Sequence, residues 1–394
     1  MAALAISVVV VSRNRPDWLR RCLRAIGQLD YSRFQTIVVA CPAGAAVARE
    51  LAAHHIHEFD EDNISIARNI GVDAAAGDIV AFIDDDAVPE PTWLAHLGAV
   101  FTDPAVLQAG GITLGRNGIS VQHTASRVDA SGRSYPVEYS GQTPISISRS
   151  GDQWPRLHGT NMALRKDAIV KRGGFDDHFA FYLDETDLTY RIAHDGGKTM
   201  FVPNAVVHHA SGPSRYRDAA RTPRSVSEIA ASTAVFHHKH CDTAHLDEAR
   251  LMFISERRSW ILRHMQTGAL APDAALKLIR ELGHGYAQGR SKPASPVRTW
   301  RQQNENDIAV KTSDAKDIYL VQSPLNRSEI RAKAKALVAQ GHRVTLFDYT
   351  PNARFHRVNY TDGYWTHTGG ILDVNYDPSR CFGRATGATV LNRR

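Results

Sequence analysis

Ile79-Val80-Ala81-Phe82-Ile83-Asp84-Asp85-Asp86-Ala87-Val88-Pro89 is an apolar run that leads straight into three consecutive carboxylates. A buried strand delivering Asp84, Asp85 and Asp86 at its carboxyl end concentrates negative charge, which a divalent cation or hydrogen-bond donors must offset. Upstream, Ile6-Ser7-Val8-Val9-Val10-Val11 and Thr36-Ile37-Val38-Val39-Ala40 are runs of the same kind. Without polar alternation, they predict strands buried on both faces of a parallel sheet. Between them Trp18, Leu19, Cys22, Leu23 and Ile26 recur at helical spacing after Pro16, a residue suited to a first helical turn. A second helix is expected over 47–53. The β-α-β-α order predicts a doubly wound α/β sheet. Ligands in such sheets bind beyond the carboxyl ends of the strands, so Ser12, Cys41 and Asp84 are expected to face one crevice.

Preceding the acidic strand, a short strand and an acidic loop (Glu58, Asp60, Glu61, Asp62) lead into a helix over 64–77 that stops at Gly77. Downstream, a helix is expected over 93–101, and residues 105–157 mix strand fragments with Gly, Ser and Asn. Pattern returns at Leu157-His158-Gly159-Thr160-Asn161 and at Gly173-Gly174-Phe175-Asp176. Asp184-Glu185-Thr186-Asp187-Leu188 then opens a helix whose first-turn carboxylates suit its dipole, with Asp187 and Arg191 four apart on one face. Closing strands are expected at 198–203 and 205–209. The pattern predicts a large α/β domain over 1–224, a helical extension over 225–288, a Pro-containing linker over 289–315 and a strand-helix-strand unit over 316–394. That last unit lacks a G-x-G-x-x-G fingerprint.

The composition, 43% hydrophobic and 22% charged, is that of a globular protein, and no apolar run approaches the roughly 20 residues that span a bilayer. Residues 4–11 are too short for a signal-peptide core and read as a first strand. The four cysteines lack metal-ligand or disulfide spacing, which fits a reducing compartment and a cytoplasmic location. The net charge of +6 gathers in the second half, from Arg215 to Arg301. It forms either a solvated face or a surface for phosphate-bearing substrate and the anionic inner face of a membrane; no nucleic-acid partner is expected.

Six segments in this order resemble the family 2 glycosyltransferases of GT-A fold, the rhamnosyltransferase type among them, over about residues 4–265. The carrying residues are Val-Val-Val-Ser12-Arg13-Asn14-Arg15-Pro16, Ala67-Arg68-Asn69-Ile70-Gly71, Asp84-Asp85-Asp86 as a DXD box, Gly159-Thr160-Asn161, Gly173-Gly174-Phe175-Asp176, and Asp184-Glu185-Thr186-Asp187-Leu188 with Arg191. The resemblance implies an inverting, metal-dependent transfer of sugar from a nucleoside diphosphate to a hydroxyl of a glycan or lipid-linked glycan. It assigns Mn²⁺ or Mg²⁺ to Asp86, with Asp84 and His209. Asp84 or Asp85 would bind ribose or reach the metal through water, and Ser12, Arg13, Arg15 and Arg68 would line the nucleotide pocket. Glu185 matches the position of the base, and Asp184 stands beside it in reversed order from the family's pair. Trp154, His158, Gly159, Thr160, Asn161 and Asp187 are implied on the acceptor side; core packing is the other reading of Trp154, and strand capping that of His208 and His209. Ala40-Cys41-Pro42 stands where relatives carry a base-reading Asp, so Asp60 or Asp62 would take that part. The rival readings are a nucleotidyltransferase, whose glycine-rich phosphate loop is missing after the first strand, and a non-catalytic carbohydrate-binding scaffold.

Overall fold

In strand β1 (Ile6–Ser12) the β-branched run is buried on both faces between two parallel neighbours. The computed structural model describes residues 3–292, 298–301, 308, 310 and 314–370. Helix α1 (Pro16–Ile26) starts on its proline, and β2 (Phe34–Ala40), α2 (Pro42–Glu50), β3 (His55–Glu58), α3 (Ile64–Ala74) and β4 (Ile79–Asp84) follow. Helix α2 begins earlier than its spacing suggests, because its first turn is marked by Pro42 and buried Gly44 and Ala45 rather than by large apolar residues. The carboxyl ends of β1, β2 and β4 lie side by side, with Ser12 beside Ala40 and Val11 beside Asp84.

Beyond β4 come β5 (Ala87–Pro89), α4 (Trp93–Val100), β6 (Val106–Leu114), β7 (Val121–His123), β8 (Ser126–Val128), β9 (Ser134–Pro136), β10 (Ile145–Ile147), β11 (Trp154–Arg156) and β12 (Met162–Arg165). Strand β12 runs antiparallel between β4 and β6, while β8, β9 and β11 make a small sheet of their own. Helices α5 (Lys166–Lys171) and α6 (Asp184–His194) lead to β13 (Lys198–His209). Where two closing strands were expected there is one of 12 residues. Its pairing with β6 shifts register between Val202 and Val207, and Pro203, which has no N–H to donate, sits in that break. The result is a ten-stranded mixed sheet in the order β10-β13-β6-β12-β4-β1-β2-β3, with β5 on β13 and β7 on β6. One apolar core, around Trp93 and Leu97, covers one face; a second, around Phe82, Phe175 and Leu188, covers the other. This is the doubly wound mixed sheet of the GT-A fold.

Helices α7 (Ser227–His240), α8 (Leu246–Gln266) and α9 (Pro272–Arg290) share a separate core of Phe253, Ile261, Leu282 and Tyr286. In the expected linker, residues 293–297, 302–307, 309 and 311–313 lie outside the described residues. Its described part returns to the sheet domain, with Arg298 paired to Asp177 at 2.6 Å and Trp300 packed on the second core. The C-terminal unit comprises β14 (Asp317–Val321), α10 (Arg327–Ala339), β15 (Arg343–Thr350), β16 (Arg357–Thr361) and β17 (Tyr364–Gly370), in the sheet order β14-β15-β17-β16. A hairpin therefore extends the expected strand-helix-strand; residues 371–394 lie outside the described residues. The unit sits on α1: Gln28 donates to the Gly363 carbonyl at 2.6 Å and accepts from the Tyr360 hydroxyl at 3.0 Å, and Tyr360 and Trp365 pack on Ala25 and Val88. Among the described residues no helix is long and apolar enough to cross a membrane.

Candidate active site

The three carboxylates diverge because the chain turns sharply after β4. Asp85 points back under the sheet edge, fully buried, and accepts from the Ser12 hydroxyl at 2.7 Å and from Arg15. Burial pushes its carboxyl up to about 6 against the pull of Arg15. Asp85 thus anchors the loop after β1. Asp86 faces the other way. Its Oδ2 accepts from the Gly212 N–H at 2.6 Å and from Arg15 at 3.2 Å. Burial works against its ionisation, but His209, Arg15 and Gly212 outweigh it and hold the group well below the usual carboxylate range.

Asp86 Oδ1 is buried, has no hydrogen-bond partner among the described residues, and lies 3.1 Å from His209 Nε2. Asp84 Oδ2 is 3.9 Å from the same nitrogen, and ligand atoms of Asp84, Asp86 and His209 all fall within 4.8 Å of one another. An orphaned carboxylate oxygen converging with a second carboxylate and an imidazole is a donor set that fits Mn²⁺ or Mg²⁺. His209 Nδ1 lies 3.2 Å from the Gln122 side-chain amide oxygen, Oε1. With Nδ1–H donated to that acceptor, Nε2 would be free to ligate a cation held between it and Asp86. His208, one residue earlier on the strand, points to the opposite side, onto Glu90 and Trp365.

Arg68 joins this half of the crevice to the other. Rising from α3 and buried, it reaches Asp84 at 3.5 Å and makes a close ion pair with Asp184. Gly159 makes room for it, since a Cβ there would lie 2.5–3.0 Å from the guanidinium. Asp184 is pushed up to about 7, first by burial and then by the charge of Glu185, against the pull of Arg68. Glu185 goes the other way: burial opposes its charge, but Arg156 at 3.6 Å, then Arg68, hold it below the usual range. The two neighbouring carboxyls are thus pushed in opposite directions, Asp184 up and Glu185 down. The turn before them is tight, with Tyr182 and Leu183 at φ 81° and 64°. Arg257 of α8 donates to the Tyr182 hydroxyl at 2.9 Å and lies over its ring.

The acceptor-side candidates spread out. Thr160 donates to Asp84 at 2.6 Å, joining the metal half. His158 stacks on His123 with ring centroids 4.1 Å apart, and burial holds both imidazoles neutral. Asn161 spends its amide on the fold, accepting from Trp93 and donating to the Ile112 and Ala205 carbonyls. Asp187, wholly buried, is gripped by Arg191, Lys239 and His240, which ties α6 to α7. Trp154 packs against His194 and Tyr190, with Arg149 over its face. Arg13 and Asp60 pair at the crevice rim, and Asp62 is held by Arg13, Arg215 and Tyr216. Arg156 and Gln122 come from the stretch of short strands that carries no sequence pattern. Arg217, whose charge is disfavoured by burial and favoured by Asp86, comes from the loop after β13.

The model of the glycosyltransferase-like family 2 matches residues 3–227. The chain belongs to this family. Among its relatives, a pre-mycofactocin glycosyltransferase of Mycobacterium tuberculosis is 28% identical over 274 residues, which are 67% of this chain and 53% of that protein. An O-antigen biosynthesis protein of Myxococcus xanthus is 25% identical over 54% of this chain and 18% of its own length. An N-acetylglucosaminyl-diphospho-decaprenol L-rhamnosyltransferase of M. tuberculosis is 34% identical over 83 residues, 21% of this chain and 24% of that one. The chain thus spans about half the length, or less, of these curated relatives. A solved mannosyltransferase from Pyrobaculum calidifontis, in complex with GDP-Man and Mn²⁺, is 20% identical with a TM-score of 0.45, covering 73% of this chain and 88% of that one.

Proposed function

We propose that the protein is an inverting, metal-dependent glycosyltransferase that moves a sugar from a nucleoside diphosphate to a hydroxyl of a glycan or lipid-linked glycan. The observation that carries this reading is the pairing of the Asp84-Asp86-His209 group with the Asp184-Glu185 pair through Arg68, which ion-pairs with both Asp84 and Asp184. A divalent ion held there would act as a Lewis acid on the departing diphosphate. Ser12, Asp85 and Arg15 hold the crevice floor, and Arg13 stands where a nucleoside would enter. Glu185 takes the proton of the acceptor hydroxyl as its oxygen bonds to the anomeric carbon, whose bond to the diphosphate oxygen breaks. Asp184, through its ion pair with Arg68, fixes the carboxylate beside it. The relative named for a decaprenol-linked substrate supports the lipid-linked class of acceptor.

The test is release of nucleoside diphosphate from a panel of sugar nucleotides, with Mn²⁺ and with chelator, followed by transfer to acceptor panels. Metal-dependent turnover of at least one donor is expected. Absence of both turnover and metal-dependent nucleotide binding would overturn the reading.

A further inference from the structure

A second cleft opens where the C-terminal unit meets the catalytic sheet. It measures about 520 Å³ and is walled by Trp18 and Arg21 of α1, Arg116, the segment from His208 to Gly212, and Asn359 to Thr361 of β16. The walls are built. Val358 N–H donates to the Asn117 carbonyl at 2.9 Å, and Gly118, at φ +70°, leaves Val358 no room for a side chain opposite. Arg21 donates through Nε to the Tyr360 carbonyl at 2.9 Å, so docking of the unit fixes its guanidinium.

The charge in this cleft is lopsided. Its lining includes two arginines and two histidines but no Asp or Glu. Arg116 is braced by the carbonyls of Ala210, Ser211 and Ala219, which hold it in place without neutralising it. Arg21 Nη1 is buried and has no hydrogen-bond partner among the described residues, and the guanidinium lies 5.7 Å from the Trp18 ring centroid. Among the described residues Asp86 is the carboxylate whose charge reaches Arg21, and it is already engaged by Arg15 and Gly212. An unspent guanidinium donor beside a cleft whose lining holds no carboxylate calls for an anion.

We propose that the cleft binds a phosphate monoester, in a site separate from the donor's diphosphate site but sharing with it the wall formed by His209 and Gly212. The monoester belongs either to a soluble sugar phosphate or to a lipid headgroup. This inference rests on the cleft and not on the catalytic reading.

The test uses the full chain in EDTA, so that metal-mediated binding plays no part. Glycerol 3-phosphate is titrated against tryptophan fluorescence, with Trp18→Phe identifying the reporter. Saturable binding is expected, weakened about tenfold or more in Arg21→Met. Asn359→Glu, an exposed position that sets a carboxylate at the cleft mouth, is expected to weaken it likewise. Sedimentation with phosphatidylcholine vesicles containing phosphatidic acid separates the two sources: Arg21-dependent co-sedimentation marks a headgroup, its absence a soluble ester. No saturable binding, or unchanged affinity in either folded variant, overturns the site. Mn²⁺-dependent turnover, measured in parallel, reports on the transferase reading alone.

Discussion

Glu185 and Asp184 are neighbours in sequence pushed in opposite directions: Arg156 holds Glu185 down, while burial pushes Asp184 up against the pull of Arg68. Glu185→Gln removes the proton acceptor and is expected to lower kcat by about 10²–10⁴-fold with donor affinity kept, read by steady-state kinetics alongside calorimetric donor binding. Arg156→Met withdraws the largest of the pulls that hold Glu185 down. The acid limb of the kcat/KM profile should therefore move to higher pH, since the carboxylate then protonates sooner on acidification; an unmoved limb would remove Arg156 from this part. Asp84, Asp85 and Asp86 are legible in the sequence because they end an apolar strand, whereas Arg68, Glu185 and His209 are picked out through the family resemblance. Arg156 and Gln122 are not. They sit on strands of three residues, too short to show a period, and reach the site only through the pairing of β11 with β8 and β7 with β6.

At the scale of elements, the entrance to α6 is held from outside the catalytic sheet. Two consecutive non-glycine residues in the left-handed region cost on the order of 1 kcal/mol or more each and persist where surroundings enforce them. Arg257, on a helix of the extension, supplies one such hold through Tyr182. Arg257→Met is expected to lower kcat roughly 3- to 10-fold, about 1 kcal/mol, while donor affinity stays put. Rescue by Arg257→Lys is expected to be partial, because the planar fork is lost. A fall in donor affinity instead would mean that α8 acts on the metal half. The strand-helix alternation of the first ninety residues follows from composition alone, whereas the contact between α8 and the turn before α6 joins residues 75 apart and leaves no local mark.

For the whole molecule, the C-terminal unit is joined to the catalytic domain through a buried aromatic patch rather than by chain alone. Tyr360 is 1% exposed, and Tyr360→Ala should cost about 3–5 kcal/mol of the docked arrangement. Limited proteolysis is the measurement: cleavage near the unit should quicken sharply in the variant, while the sheet domain stays intact. Equal rates in variant and parent would show that Tyr360 does not secure the dock. Helix α1 gives this dock a reach beyond its area. Arg15, at one end of it, grips Asp85 and Asp86; Gln28, just past the other, is clasped by Tyr360 and Gly363. Eleven helical residues span about 16 Å, so α1 is a stiff strut with a handle at each tip. A torque applied to the C-terminal unit therefore passes through the two-residue turn Gly27-Gln28 and the strut to the guanidinium that braces the acidic turn.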